Sequence, residues 1–469
     1  MSSPRQSDSD ALLDNRGDET VGYSSVAESG EAEGDDADST NSTHLPEMAG
    51  SGGNTSTSRT LMNFLRSMIG PGCLALPVAV KQSGLIGGLI MIIVLGMLNL
   101  HCMTILVTSA QYLCRISGKP DLDYGHLAKK AVDFGPERYR QHSKKALYVT
   151  NAVIVMLQLG ICSVLFVFMG SHMSEVLLDL MGRITLEPVP CMAILLVPVI
   201  LFNYVRSMRI MSLFSTAANV MMIVVFIVIF YAVIATPMIP GPRAFFTNFA
   251  NTSVAVGAVL YSFEGQAVVL PMENRMTFPE EMLGYTGVLN TGMWIVIALY
   301  AATGFFGYRT YGSEVKPSIT LSLTGSPVYD ATKLLLIVAV FVGYGLQMYV
   351  VVRMLWRPIR RKWLPGLDRW HLPLEFLFRT ILVVFTFAVA AIVPNLDAII
   401  SLVGISAGAI LAFILPPIIH MVAFWEHWTL EWTPRLKWAI VAKNVGLMLL
   451  GLFGMVVGLY STVHKQINR

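Results

Sequence analysis

Charge is what this sequence has least of. Only 13% of its 469 residues are Asp, Glu, Lys or Arg, against roughly 25% in an average soluble protein. With 54% hydrophobic residues and a mean hydropathy of +0.61, the chain is unsuited to folding in water. Cysteine is scarce too. Cys73, Cys102, Cys114, Cys162 and Cys191 show no paired spacing and mostly fall inside apolar runs. That excludes a structural zinc site and reads as small core residues. There is no glycine-rich nucleotide loop, no metal-spaced histidine cluster and no nucleophile beside a base. Enzyme and pump readings therefore lose support, and neither a cofactor nor a metal is expected. The net charge of +3 hides acids crowded at the N-terminus and bases gathered in two later loops. Neither cluster sits on a soluble domain, so a nucleic-acid partner is not expected.

What is present is a succession of apolar runs near 20 residues long, the length that crosses a bilayer. Residues 1–58 are a separate regime. The stretch 28–57 is built of Ser, Thr, Gly, Asp and Glu and cannot bury enough surface to fold. No apolar core precedes residue 60, so the tail is not a signal peptide and is expected to be disordered and cytosolic. Two strings in it resemble endosomal sorting signals. Asp8-Ser9-Asp10-Ala11-Leu12-Leu13 fits an acidic dileucine pattern, and Tyr23-Ser24-Ser25-Val26 fits a tyrosine–x–x–bulky pattern. Sorting adaptors would read Asp8, Leu12, Leu13, Tyr23 and Val26 as an address. Residues 59–462 form the expected transmembrane domain, and 463–469 a short C-terminal tail.

About eleven spans are expected, with boundaries good to several residues. They lie near 60–82, 85–110, 146–179, 190–206, 210–236, 251–273, 284–308, 328–354, 374–394, 396–422 and 436–460. The basic residues set the orientation. Arg115, Lys119, Lys129, Lys130, Arg138, Arg140, Lys144 and Lys145 follow the second span, and Arg357, Arg360, Arg361, Lys362 and Arg369 follow the eighth. An even number of spans separates the two loops, so both are expected in the cytosol. The N-terminus is then cytosolic and the C-terminus luminal or extracellular.

Two spans are interrupted. The first reads Ile69-Gly70-Pro71-Gly72-Cys73-Leu74-Ala75-Leu76-Pro77. Proline removes a donor and the glycines leave the backbone bare. The sixth reads Tyr261-Ser262-Phe263-Glu264-Gly265-Gln266 and runs on to Leu270-Pro271. Unsatisfied backbone at membrane depth is tolerated only against protein or a wet cavity. Two breaks five spans apart are what an inverted repeat of five plus five spans produces, with the substrate at the midplane between them. Half-helix N–H groups can hold a carboxylate, and freed carbonyls can hold an ammonium or a cation. The solute expected is therefore small and charged or zwitterionic. Glu264, ionisable at that depth, is a candidate proton carrier or amine partner; capping the second half-helix is its structural alternative.

At these residues the sequence resembles the amino acid/auxin permease family, nearest its proton-coupled amino acid transporter branch. The likeness rests on 69–77, on His101-Cys102-Met103, on Phe263-Glu264-Gly265 through Leu270-Pro271-Met272-Glu273-Asn274, and on Gly312-Ser313-Glu314-Val315-Lys316-Pro317-Ser318-Ile319-Thr320-Leu321. It implies an all-α membrane protein of about eleven transmembrane helices, a 5+5 inverted-repeat fold with broken helices 1 and 6. It further implies small neutral amino acids moved together with protons. Ile69, Gly70, Gly72, Tyr261, Ser262, Phe263, Glu264 and Gly265 would line the substrate site. Branch members carry a histidine early in span 1, where this chain has Asn63, and polar residues where it has Met68 and Pro71. The branch's outer disulfide has only Cys191 available near that side. His101 is the substitute proton group, set against an interfacial histidine near the cytosolic face. Asp397, next to Pro394-Asn395, reads as a turn residue. Two alternatives stay open: sodium in place of protons, and an amino-acid sensor signalling from an endolysosomal membrane. The host membrane is expected to be lysosomal, endosomal or plasma.

Overall fold

In hydrocarbon a backbone must satisfy its own polar groups, and a helix does so within one segment. The computed structural model describes residues 55–181, 187–363, 371–431 and 433–467. The tail and its sorting strings at Asp8, Leu12, Leu13, Tyr23 and Val26 lie outside them. Among the described residues the chain is helical throughout, and its only strand-like feature is an isolated bridge between Thr55 and Met276.

The helices follow in order as α1 (Thr57–Met68), α2 (Leu76–Ser83), α3 (Leu85–Ser117), α4 (Tyr124–Asp133), the single turn α5 (Glu137–Arg140), α6 (Ser143–Met181), α7 (Pro188–Asn203) and α8 (Met208–Ala235). Then come α9 (Phe249–Ser262), α10 (Gln266–Glu273), α11 (Val288–Tyr311), α12 (Pro327–Trp363), α13 (His371–Ile392), α14 (Leu396–Val403), α15 (Leu415–Glu431) and α16 (Pro434–Ile467). Nine helices among the described residues are long and apolar enough to cross a membrane, and the bent pair Thr57–Met68 and Pro71–Ser83 makes a tenth crossing. The fold is an all-α multi-span membrane protein. Where the fourth span is expected stands α7, apolar but only 16 residues long, or ~24 Å at 1.5 Å per residue.

Burial sorts the helices. In the span Phe249–Glu273 72% of the apolar window is buried within the chain, against 17% in Pro434–Lys465. The sixth span is therefore central and the last faces lipid. Lipid tails are as apolar as leucine, so close helix approach rests on small residues rather than on a hydrophobic drive. The clearest case is Gly404, where an added Cβ would stand 2.0 Å from the Gly257 carbonyl oxygen. At the α2–α3 turn Gly84 has φ 91°, and an added Cβ would meet the Phe245 carbonyl oxygen at 2.5 Å. The 244–245 carbonyls there accept from the N–H groups of Leu85, Ile86 and Gly87, which open α3.

Three features depart from the sequence reading. α3 continues past residue 110 to Ser117, where Gly118 at φ 63° ends it. The basic segment that follows is not a solvated loop, because α4 buries Tyr124, Leu127, Ala128 and Ala131 against α6 and α15. Finally, the tenth span leaves α-geometry through two π-helical turns, Gly404–Gly408 and Ile410–Ile414. Such turns concentrate where helices carry function.

The segment after α11 folds inward. Its 3-10 turn Ile319–Ser322 packs on the 3-10 turn Pro71–Ala75 of the first break. Thr320 Oγ1 lies 2.6 Å from Nε2 of the buried His172 on α6, whose Nδ1 donates to the Phe168 carbonyl at 2.8 Å. Lys316 pairs with Glu175 of α6, and the fully buried Lys333 of α12 reaches Asp179 at 2.7 Å. The segment is thereby fastened to α6.

Candidate functional site

Both interruptions exist in the fold. α1 ends at Met68, Ile69 leaves helical geometry at ψ 89°, and Gly70 is extended at φ −129°. The halves α1 and α2 meet at a bend of 44°. The sixth span bends less sharply than 40°, but α9 stops at Ser262 and α10 starts afresh from Gly265, with Phe263 and Glu264 between.

The breaks touch. Ser262 Oγ lies 2.8 Å from the Gly72 carbonyl oxygen and 2.8 Å from that of Ala258. A Cβ on Gly72 would stand 3.1 Å from both Ser262 Cα and the Tyr261 ring, and one on Gly265 would run into Met68 Sδ at 2.3 Å. Gly70 is different, because nothing lies within 4 Å of its added Cβ. Open space therefore borders the first break at Gly70. The expected residues Ile69, Gly70, Gly72, Tyr261, Ser262, Phe263, Glu264 and Gly265 form this one junction. His101 does not join it. On α3, Asn99 and Met103 face the sixth span, whereas His101 looks toward α15 and α16, within electrostatic reach of Lys443 and His420.

Two residues of the junction were missing from the sequence reading. The buried Tyr300 of α11 places its hydroxyl 2.6 Å from the Met68 carbonyl oxygen and 2.8 Å from that of Ser262, so one side chain spans both breaks. The buried Asn99 donates to the Phe263 carbonyl at 2.9 Å and accepts from the Gln266 amide at 2.7 Å. Neither residue has a local sequence signature; each is a lone polar group in an apolar helix. The carbonyls of Met68, Gly72, Ser262 and Phe263 at the breaks are thus already engaged by Tyr300, Ser262 and Asn99, though each oxygen keeps a second lone pair.

Glu264 is partly buried at the start of α10. No hydrogen bond or ion pair to its carboxyl is found among the described residues. Its electrostatic neighbours are the phenols of Tyr124 and Tyr261, and Tyr124 itself donates to the Leu411 carbonyl at 3.1 Å, in the π-helical stretch. A half-helix start favours a negative charge beside it. The arrangement leaves a carboxyl without a fixed counter-charge beside the break, a group that a proton or a cation can neutralise.

Elsewhere, a cavity of about 640 Å³ opens between α6, α12, α13 and the tenth span, with Asn151, Ser163 and Ser406 in its lining. None of the expected site residues lines it. Asp397 is more than a turn residue: its carboxylate accepts twice from the Gln82 amide at the end of α2 (2.9 and 2.8 Å), with Lys465 at 3.8 Å. No group of metal-ligating side chains occurs among the described residues, and all five cysteines are free.

The family model described as transmembrane amino acid transporter protein matches residues 53–463, most of the chain. The chain belongs to this family. Its members are membrane transporters rather than enzymes, and amino acids are their substrates. A relative named probable amino acid transporter skat-1, from Caenorhabditis elegans, is 33% identical over 425 residues, covering 90% of this chain and 92% of that protein. A Drosophila melanogaster relative named proton-coupled amino acid transporter-like protein pathetic is 28% identical over 415 residues, covering 87% and 85%. The match takes in both broken spans.

Proposed function

We propose that this amino acid transporter carries small neutral amino acids together with protons, with the substrate held at the junction of the two breaks. The observation that carries the reading is the Glu264 carboxyl, set at the break with no cation partner among the described residues. A carboxyl without a fixed counter-charge at that depth is the group a proton or a substrate ammonium would neutralise. The name of the Drosophila relative supports the choice of proton. Sodium is the weaker reading, because four of the carbonyls at the breaks, those of Met68, Gly72, Ser262 and Phe263, are already engaged by Tyr300, Ser262 and Asn99.

Nothing lies within 4 Å of a Cβ added at Gly70, so the solute would approach the break from that side. Following the basic loops, the N-terminus lies in the cytosol and the C-terminus in the lumen or outside. The sorting strings at Asp8, Leu12, Leu13, Tyr23 and Val26 favour an endolysosomal membrane over the plasma membrane and adaptors as partners.

The test is uptake of a radiolabelled amino-acid panel into proteoliposomes with a proton gradient, a sodium gradient or none. Accumulation only with the proton gradient is expected, and Glu264→Gln should lower it roughly tenfold, about 1.4 kcal/mol. Equal flux in all three arms would sink the coupling.

A further inference from the structure

α10 is flanked by carboxyls: Glu264 lies two residues before its start and Glu273 is its last residue. The seven helical steps from Gln266 to Glu273 alone rise ~10 Å at 1.5 Å each, so the two acids stand at opposite ends of α10. Glu273 is 3% exposed. Its Oε1 accepts from the neutral Gln111 amide at 2.8 Å, an amide that also donates to the Pro279 carbonyl at 3.0 Å. Its Oε2 is buried and has no partner. The other buried acid among the described residues, Glu375, is held between Arg379 at 2.8 Å and Arg206 at 3.1 Å. Glu273 has no such cation. A buried, uncompensated carboxylate costs several kcal/mol, and a neutral acid far less. The geometry therefore suits a carboxyl that holds a proton.

The surroundings bear on where that proton can go. α3 presents Gln111, Cys114 and Arg115, and Arg115 pairs with Glu280 at 3.5 Å. Glu281 bonds to Thr57 of α1, and Asp121 lies beyond Cys114. Asn274 donates to the Leu122 carbonyl at 3.1 Å, seating this end of α10 against the basic segment. Arg275, two residues on, is exposed and has interactions of its own. Glu273 is thus buried one turn or less from the surface. At the break end of α10 stand buried Gln266 and Asn99, joined at 2.7 Å, and Gln266 Oε1 is a second unpartnered acceptor.

We infer that Glu273 is the proton-releasing group on the basic-loop side of the site, loading and unloading the coupling proton once per cycle. This rests on the proton-coupled reading. On release, the Glu273 O–H bond breaks and the proton passes to water at the end of α10, leaving a carboxylate. The carboxylate is refilled by a proton that Glu264 gives up to water. At that distance water carries it between the two acids, so the O–H bond broken at Glu264 is matched by the one formed at Glu273.

The full-length protein in proteoliposomes tests this with two readouts. Infrared titration follows the carbonyl stretch of a neutral buried carboxylic acid. The expected band has a component that fades as pH rises, is lost in Glu273→Gln and is kept in Glu264→Gln, which loses only the Glu264 component. A band unchanged between about pH 5 and 9, or one identical in Glu273→Gln and the parent, overturns the inference. In transport, Glu273→Gln is expected to lose gradient-driven accumulation about tenfold while keeping gradient-free counterflow, with Glu273→Asp restoring part of it. Accumulation at the parent level in Glu273→Gln, or loss of counterflow that Glu273→Asp does not restore, also overturns it. A parent protein that ignores the proton gradient defeats the proton-coupled reading instead; the infrared titration still decides whether Glu273 exchanges a proton.

Discussion

Removing the hydroxyl of Tyr300 with Tyr300→Phe leaves the ring's packing against Phe263 in place and takes one bridge from two carbonyls at once. An unsatisfied buried carbonyl costs about 1–3 kcal/mol. The variant is expected to unfold several degrees lower in detergent and to bind substrate more weakly, read by thermal shift with and without amino acid. Tyr300→Phe indistinguishable from the parent in both would mean the bridge is idle. This scale also shows what was legible beforehand. Glu264 and the glycines at 70, 72 and 265 stood out because a charge or a helix breaker in an apolar run is a local anomaly. Tyr300 and Asn99 did not, since a lone polar group in such a run has equally good uses in helix contacts, and only the tertiary partner distinguishes them.

Among the elements, the contact of α9 with the tenth span is the tightest backbone approach tied to the sixth span. Gly404→Ala puts a methyl 2.0 Å from the Gly257 carbonyl oxygen. Overpacking of this kind costs typically 1–3 kcal/mol. A clear fall in melting temperature is expected, whereas Gly454→Ala, with nothing within 4 Å, should be neutral. α4 permits a pH prediction. Asp123 caps it, accepting from the His126 N–H at 2.7 Å and lying 2.9 Å from the His126 ring. Burial works to raise the Asp123 carboxyl, but the hydrogen bonds from His126 outweigh it and hold it below its usual range. The Asp123 bond in turn raises His126 above its usual range, against burial. The Asp contribution is lost as pH falls through its lowered value, and the His contribution as pH rises through its raised value. Amide exchange in α4, corrected for intrinsic rate, is therefore expected to be slowest near pH 5–6 and to lose that optimum in Asp123→Ala. With both side chains more than half exposed, solvent screening limits the pair to under about 1 kcal/mol. The element itself escaped the sequence reading, because its lysines advertise a solvated loop while its buried stripe is short.

At the scale of the whole molecule, the all-α membrane class was legible from hydropathy alone, since a membrane helix needs only length and apolarity, whereas ten crossings stand among the described residues where about eleven were expected. Depth of burial was not: nothing in composition separates the central sixth span from the lipid-facing last one. The five free cysteines give a plain expectation. Reducing agent should change neither gel mobility nor uptake, and a thiol-dependent loss of transport would contradict it.

The segment fastened to α6 also rests on the first break, so it is a lever with one arm on the site and one on the frame. Its turn carries exposed Thr324 beside Gly325 at φ 85°. A single dye attached at Thr324 would then turn any rearrangement at the break into an optical signal, counting turnovers without touching a residue that meets the solute.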